Sequence, residues 1–141
     1  MSKKIGDFTF SDCENLNQID IPIDSEISEF GLNSLTNTDI KSLYIPSKVV
    51  EFKSEWCDNI SSLTKITVSP KNKNFIYYDN CFLIGKSNPL DSCYDVLIIA
   101  RRDVKVPIIP SFIKKIAFNY CEKLETVIFN KDSKLEVIEE N

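Results

Sequence analysis

The sequence contains no histidine, and no other single feature excludes as much chemistry. Without an imidazole there is no Ser-His-Asp or Cys-His activation of a nucleophile and no helix-borne metalloprotease motif. The commonest zinc ligand is missing too. Glycine is nearly as scarce. Gly6, Gly31 and Gly85 stand alone, so no glycine-rich loop can cradle a phosphate. No stretch reaches the roughly 18 apolar residues that a membrane span requires, so no membrane insertion is expected. "MSKKIGDFTFSDCENL" has a positive start but no apolar segment after it, so no secretory signal is legible.

The charged residues exclude further classes. Net charge is −4 and the lysines and arginines are scattered, whereas a nucleic-acid surface needs a basic stripe. Nucleic acid is therefore not an expected partner. The 21 acids could supply the facing carboxylates of a glycosidase, but no spacing singles out a pair. Asp91 and Asp95 around Cys93 read as loop solvation rather than a cation site. Arg101–Arg102 is too short for an electrostatic site. Asn59–Ser61 matches a glycosylation acceptor, which matters only if the chain is exported. No catalytic residue, cofactor or metal site emerges, and the chain is expected not to be an enzyme.

Five cysteines are present: Cys13, Cys57, Cys81, Cys93 and Cys121. None are spaced C-x-x-C, and an odd number cannot pair completely within one chain. They read as buried free thiols serving as small hydrophobes. That fits a reducing, cytoplasmic compartment unless the chain is a fragment of a surface protein.

What the sequence does have is a folded-protein composition, 43% hydrophobic, and a repeat. "FSDCENLNQIDIP" (Phe10–Pro22) and "FNYCEKLETVIFN" (Phe118–Asn130) share one skeleton. The strand-like doublet that ends the first recurs as "IKSLYIP", "LTKITVSP" and "LETVIF", with middle apolar positions Ile19, Leu43, Ile66 and Val127. Leu97, in "YDVLIIA", lies nearly halfway along the one long step, giving a period of about 23. Alternation closed by proline predicts a short strand in each unit. The three-residue spacing Phe10/Cys13/Leu16 predicts a helical turn before it. A second alternating piece ("SEISEF", "KVVEF", "SFIKKI", "KLEVIE") predicts another short strand. No unit could bury its own apolar face, so the units are expected to stack around one continuous core, with Ile19, Leu43, Ile66 and Val127 in a single row.

The register "I-G-x-x-T-F-x-x-C-x-x-L-x-x-I-x-I-P" at Ile5–Pro22 resembles the BspA-type leucine-rich repeats, and the resemblance runs from Ile5 to Ile138. It implies an α/β, right-handed solenoid with a parallel concave sheet, short convex strands and helical turns. Residues 1–141 would be one domain of about five repeats with an incomplete last one. The elongated unit is placed at 71–107 and contains a β-hairpin at Phe75–Ile84 around "DN", whose residues tolerate left-handed backbone. Many members are surface antigens or adhesins. The implied function is a non-catalytic protein-binding module, with another protein or a surface glycan as partner. The alternative is a purely structural segment that stacks end to end.

With Ile19/Ile21, Leu43/Ile45, Ile66/Val68, Leu97/Ile99 and Val127/Phe129 inward, the alternate residues face outward. The candidate partner-binding face is therefore Tyr44, Lys65, Thr67, Val96, Ile98, Thr126 and Ile128, its last rungs being apolar. Two blander readings stand beside it: the elongated unit's loop covers those residues, or the Leu97 strand is out of register.

Overall fold

The computed structural model describes residues 3–116 and 123–139. Twelve short strands occur among them: β1 (Lys3–Ile5), β2 (Ile27–Phe30), β3 (Ser42–Ile45), β4 (Glu51–Phe52), β5 (Lys65–Val68) and β6 (Ile76–Tyr78), then β7 (Phe82–Gly85), β8 (Val96–Ala100), β9 (Ile108–Ile109), β10 (Lys115–Ile116), β11 (Ile128–Phe129) and β12 (Val137–Ile138). Apart from β7, which pairs antiparallel with β6 and β8, the strands pair in parallel. Ile5 aligns with Phe30 and Phe30 with Phe52 along β1–β2–β4. Leu43 aligns with Ile66 along β3–β5, Ile108 with Ile128 along β9–β11, and Leu97 with Ile116 and Ile138 along β8–β10–β12. Parallel partners need a long connection between them, and here each connection is one turn of the coil.

The expected helical turns are absent, and the α/β assignment is corrected to an all-strand solenoid: no helix occurs among the described residues. The backbone donors show why. Phe8, Phe10 and Asp12 donate their N–H groups to the carbonyls of Leu32, Ser34 and Thr36 on the next coil, at 2.8–2.9 Å. The intervening Ser11 and Cys13 donate three residues back, to Phe8 and Phe10. A donor spent along the solenoid axis cannot also reach the carbonyl four residues back, so the segment forms stacked turns instead of a helix. Left-handed backbone recurs at matching places: Phe8 and Asp12, Asn33 and Asn37, Glu55 and Asn59. Such residues interrupt right-handed helix, and asparagine and aspartate tolerate the conformation best. The three-residue apolar spacing is real, but stacked turns satisfy it equally well.

The last residue of each pair forms a side-chain ladder. The Asn59 Nδ2 donates to Asn37 Oδ1, and the Asn37 Nδ2 donates to Asp12 Oδ1. The glycosylation-like Asn59 is thus a rung of the coil. Gly31 serves the same stacking. A Cβ there would lie 2.6 Å from Asp7 Oδ1 and 2.7 Å from both Asp7 N and Gly6 C.

Two further corrections concern the core. Leu97 does not occupy the row of Leu43 and Ile66. Its strand β8 belongs to the ladder with β10 and β12, while Ile108–Ile109 pairs with Ile128–Phe129. The doublet "PIIP" is short and bracketed by prolines, so it made a weaker pattern than the longer run at Leu97. Nor is the core a single row. Leu43 and Ile66, with half-buried Ile19, pack in one cluster, and Val127 packs in a second. Strands β7 and β8 stand between them: Leu83 and Ile99 face the first cluster, whereas Phe82, Ile84 and Leu97 face the second. All four residues of β7 are buried. The expected hairpin is more than an elongation of a unit: its second strand is a wall with an apolar face on each side.

The first cluster centres on aromatics from successive coils. Phe30 stacks on Phe52 with centroids 5.2 Å apart, and Trp56 and Phe75 each lie within 5 Å of Phe52. Phe129, expected inward, is exposed. The cysteines divide: Cys57 is buried, Cys81 half-buried, and Cys13 and Cys93 exposed, which corrects the expectation of uniformly buried thiols. Cys121, with the start of the second skeleton at Phe118, lies outside the described residues. Arg102 is buried and donates to the Cys57 carbonyl, while Arg101 is paired with Asp103 at 2.6 Å.

Candidate functional site: an aromatic groove with a lysine rim

The hairpin forms where "DN" predicts it. Asp79 and Asn80 both have positive φ, and the Cys81 N–H donates to the Tyr78 carbonyl at 3.1 Å, the primed turn that matches strand twist. Period-two alternation then sends Tyr77 toward the first cluster, with Ile76 and Tyr78 on the other face. Burial pushes the Tyr77 hydroxyl up to about 12. Tyr78 meets Phe112 edge to face, with centroids 5.3 Å apart.

Beyond β7 the chain makes a loop closed by one carboxylate. Asp95 is buried, and its two oxygens accept from the Ser87 N–H at 2.8 Å and the Ser87 hydroxyl at 2.6 Å. Burial pushes the Asp95 carboxyl up, but the two Ser87 bonds and nearby Lys114 outweigh it, and the group lies below its ordinary value. The Asp95 carbonyl accepts from Lys114 N, and the Ser111 carbonyl from Lys134 N, so these residues stand on consecutive coils. Tyr94 sits beside them, held by its hydroxyl's bond to the Lys73 carbonyl and by Lys86, whose Nζ lies 4.8 Å from the ring centroid.

The result is an open groove of about 400 Å³, walled by Ile76, Tyr78, Tyr94 and Phe112 and rimmed by Lys114 and Lys134. Both lysines are exposed, and neither forms an ion pair among the described residues. Aromatic faces beside exposed cations can hold an apolar side chain and an anion together. No cluster of three or more metal-ligating side chains occurs among the described residues. No described helix is long and apolar enough to cross a membrane.

The seven residues expected to form one face fall in three places. Lys65 and Thr67 are exposed together on β5 beside Tyr44 on β3, whose ring is half-buried and whose hydroxyl is buried. Thr126 and Ile128 are exposed at β11, next to Ile108 of β9. Val96 and Ile98 lie on β8 in the other ladder, lining a cleft of about 230 Å³ against Phe52–Trp56, and Ile98 packs on the first cluster. None of the seven lines the aromatic groove. Sequence reasoning missed Tyr78, Tyr94 and Phe112. Part of the signal was available: Tyr78 ends the run Phe75–Tyr78 and Tyr94 begins the run Tyr94–Ala100, where an inward-facing register has no place for them.

Residues 1–87 match the family model described as "BspA type Leucine rich repeat region (6 copies)", ending in the loop after β7. No protein with a curated description matches the chain. Among solved structures, the chain is similar in fold to a leucine-rich repeat protein from Eubacterium ventriosum, with a TM-score of 0.64 and 21% identity. That match covers 86% of this chain and 34% of the other, so the chain spans about a third of that protein's length. The stacked turns, the parallel ladders and the family match over more than half its residues agree: this chain belongs to the BspA-type leucine-rich repeat family.

Proposed function

We propose that the chain is a non-catalytic module that binds another protein, and that the groove between the hairpin and the coils of Lys114 and Lys134 is where it binds. The observation that carries this reading is the exposure of Tyr78 and Phe112. Both large aromatics stay out of the two core clusters, and they meet edge to face on the wall of an apolar recess. Exposed aromatics in a preformed recess are what a partner's apolar side chain recognises, and their rigidity keeps the ordering cost of binding small. A glycan fits less well. Sugar rings stack on open aromatic faces, whereas here the two rings meet edge to face. A surface-antigen or adhesin setting is a narrower form of the same reading, and the groove chemistry is indifferent to it.

The test compares two surfaces. Phe112→Ser should leave melting nearly unchanged and abolish capture of the protein retrieved by the wild-type chain. Tyr44→Ala with Lys65→Ala should preserve that capture. The opposite pattern, capture lost only with Tyr44 and Lys65, moves the site to the β3–β5 face and overturns the proposal.

A further inference from the structure

The groove's charge is local and opposes that of the molecule. The chain carries a net −4, yet the exposed charged groups at the groove rim are Lys114 and Lys134, with Lys86 held against the adjoining Tyr94 ring. One carboxylate lines the groove, that of Asp95, and both its oxygens are already engaged by Ser87. Its charge also acts on Lys114, so it offsets part of the rim and leaves the lining with two lysines against one acid. An apolar occupant lacking charge would press two ammonium groups against hydrocarbon with one carboxylate between them, and desolvating a charge that is not fully paired is costly. A basic occupant would meet like charge at close range.

We infer that the groove's occupant is a peptide segment in which a large apolar side chain is flanked by aspartate or glutamate; this rests on the reading of the groove as a protein-binding site. The apolar side chain packs on the wall made by the Tyr78–Phe112 pair and Tyr94, and the acids meet Lys114 and Lys134. Those lysines stand on consecutive coils, whose backbones are spaced by about 4.8 Å in a parallel ladder. Neighbouring acidic side chains of one extended peptide can span that distance. The overall negative charge keeps such a peptide from adhering elsewhere, so complementarity at the rim confers selectivity as well as attraction.

A random peptide library displayed on phage tests this, selected in parallel on three forms of the full chain: wild type, Lys114→Glu with Lys134→Glu, and Phe112→Ser. The wild type should enrich peptides that pair a large apolar residue with Asp or Glu. The charge-reversed form should enrich Lys or Arg in the same positions, and Phe112→Ser should enrich neither. A selected peptide measured by fluorescence polarisation should bind Lys114→Gln with Lys134→Gln about tenfold more weakly than wild type, with a flatter salt dependence. Wild-type binders with no acidic bias overturn the inference while leaving the groove reading standing. Binders indifferent to Phe112→Ser and to charge reversal, or no binders at all, overturn both.

Discussion

Replacing Asn72 by aspartate changes one NH₂ group to an oxygen at nearly constant volume, and the structure gives that change a large expected cost. Asn72 is buried. Its Nδ2 donates to the Pro46 carbonyl at 2.8 Å and the Val49 carbonyl at 3.1 Å. Its Oδ1 accepts from the Asn74 and Phe75 N–H groups at 2.8 and 2.9 Å. Every hydrogen-bonding position of the amide is filled, and the four bonds tie the turn after β3 to the segment that delivers Phe75 into the aromatic stack. In Asn72→Asp both donors vanish and a carboxylate faces two carbonyl oxygens. Losing two bonds and stranding a buried charge should destabilise by about 3–5 kcal/mol. That is a large share of the roughly 5–15 kcal/mol typical of a domain, and a fall in Tm of roughly 10–15 °C.

The assay is urea unfolding followed by the fluorescence of Trp56, the single tryptophan, which is buried in the same aromatic stack. The pH dependence separates charge from lost contacts. Burial beside two carbonyls disfavours the ionised form, so the new carboxyl titrates above the unfolded value of about 3.9. Between those two values the folded state holds more protons than the unfolded one, so stability relative to wild type falls as pH rises and then levels off. Asn72→Ala, which introduces no charge, should cost about 2–4 kcal/mol with no such slope. A cost below about 1 kcal/mol for Asn72→Asp, or a difference from wild type that is flat between pH 4 and 7, would refute the account of Asn72 as a clamp.

The other stacking devices give contrasts of their own. Gly31→Ala places a methyl against the backbone of the preceding coil and should cost about 1–3 kcal/mol or more, whereas Gly85→Ala meets the Phe75 ring, which can shift, and should cost less; urea midpoints measure both. At Asn37, where φ is positive, alanine loses both the ladder and the left-handed tolerance, while glycine loses only the ladder. The two should differ by about 1 kcal/mol in favour of glycine. Ser87→Ala should raise the pH of acid unfolding. The Asp95 carboxyl lies low in the folded state, so its contribution is present above the unfolded value and is lost as pH falls through the folded one.

The alternating doublets at Leu43 and Ile66 and the turn at Asp79–Asn80 were legible because each is a local code. A period of two fixes which side chains turn inward, and two residues tolerant of positive φ fix a primed turn. Turn and helix proved indistinguishable at Phe10–Leu16, since both place every third residue on one side. The deciding fact, that Phe8, Phe10 and Asp12 donate to the next coil, is not local. The same limit hid the groove. Tyr78, Tyr94 and Phe112 are far apart in sequence, and only the pairing of β6 with β7, β7 with β8 and β8 with β10 brings them together. Leu97 stands in a different ladder from the expected one for a related reason: a strand's own letters specify its faces but not its neighbours.

The wall formed by β7 has a consequence for unfolding. In a plain solenoid each coil contacts only the next, so the array can fray unit by unit from either end. Here β7 lies antiparallel between β6 and β8, with Leu83 in one cluster and Phe82 and Ile84 in the other, all fully or nearly fully buried. Neither cluster can open along this strand without exposing apolar surface of the other, so the two should unfold together. The transition seen by Trp56, which reports the first cluster, should coincide with that seen by far-ultraviolet circular dichroism, which reports every strand. Leu83→Ala and Ile84→Ala should each cost about 2–5 kcal/mol and shift both signals equally, although their side chains face opposite ways. Ile84→Ala is the sharper of the two, because the cavity opens in the second cluster while Trp56 sits in the first. A Trp56 midpoint unmoved by that substitution, with the dichroism split into two steps, would mean that β7 separates two independent halves instead of joining them.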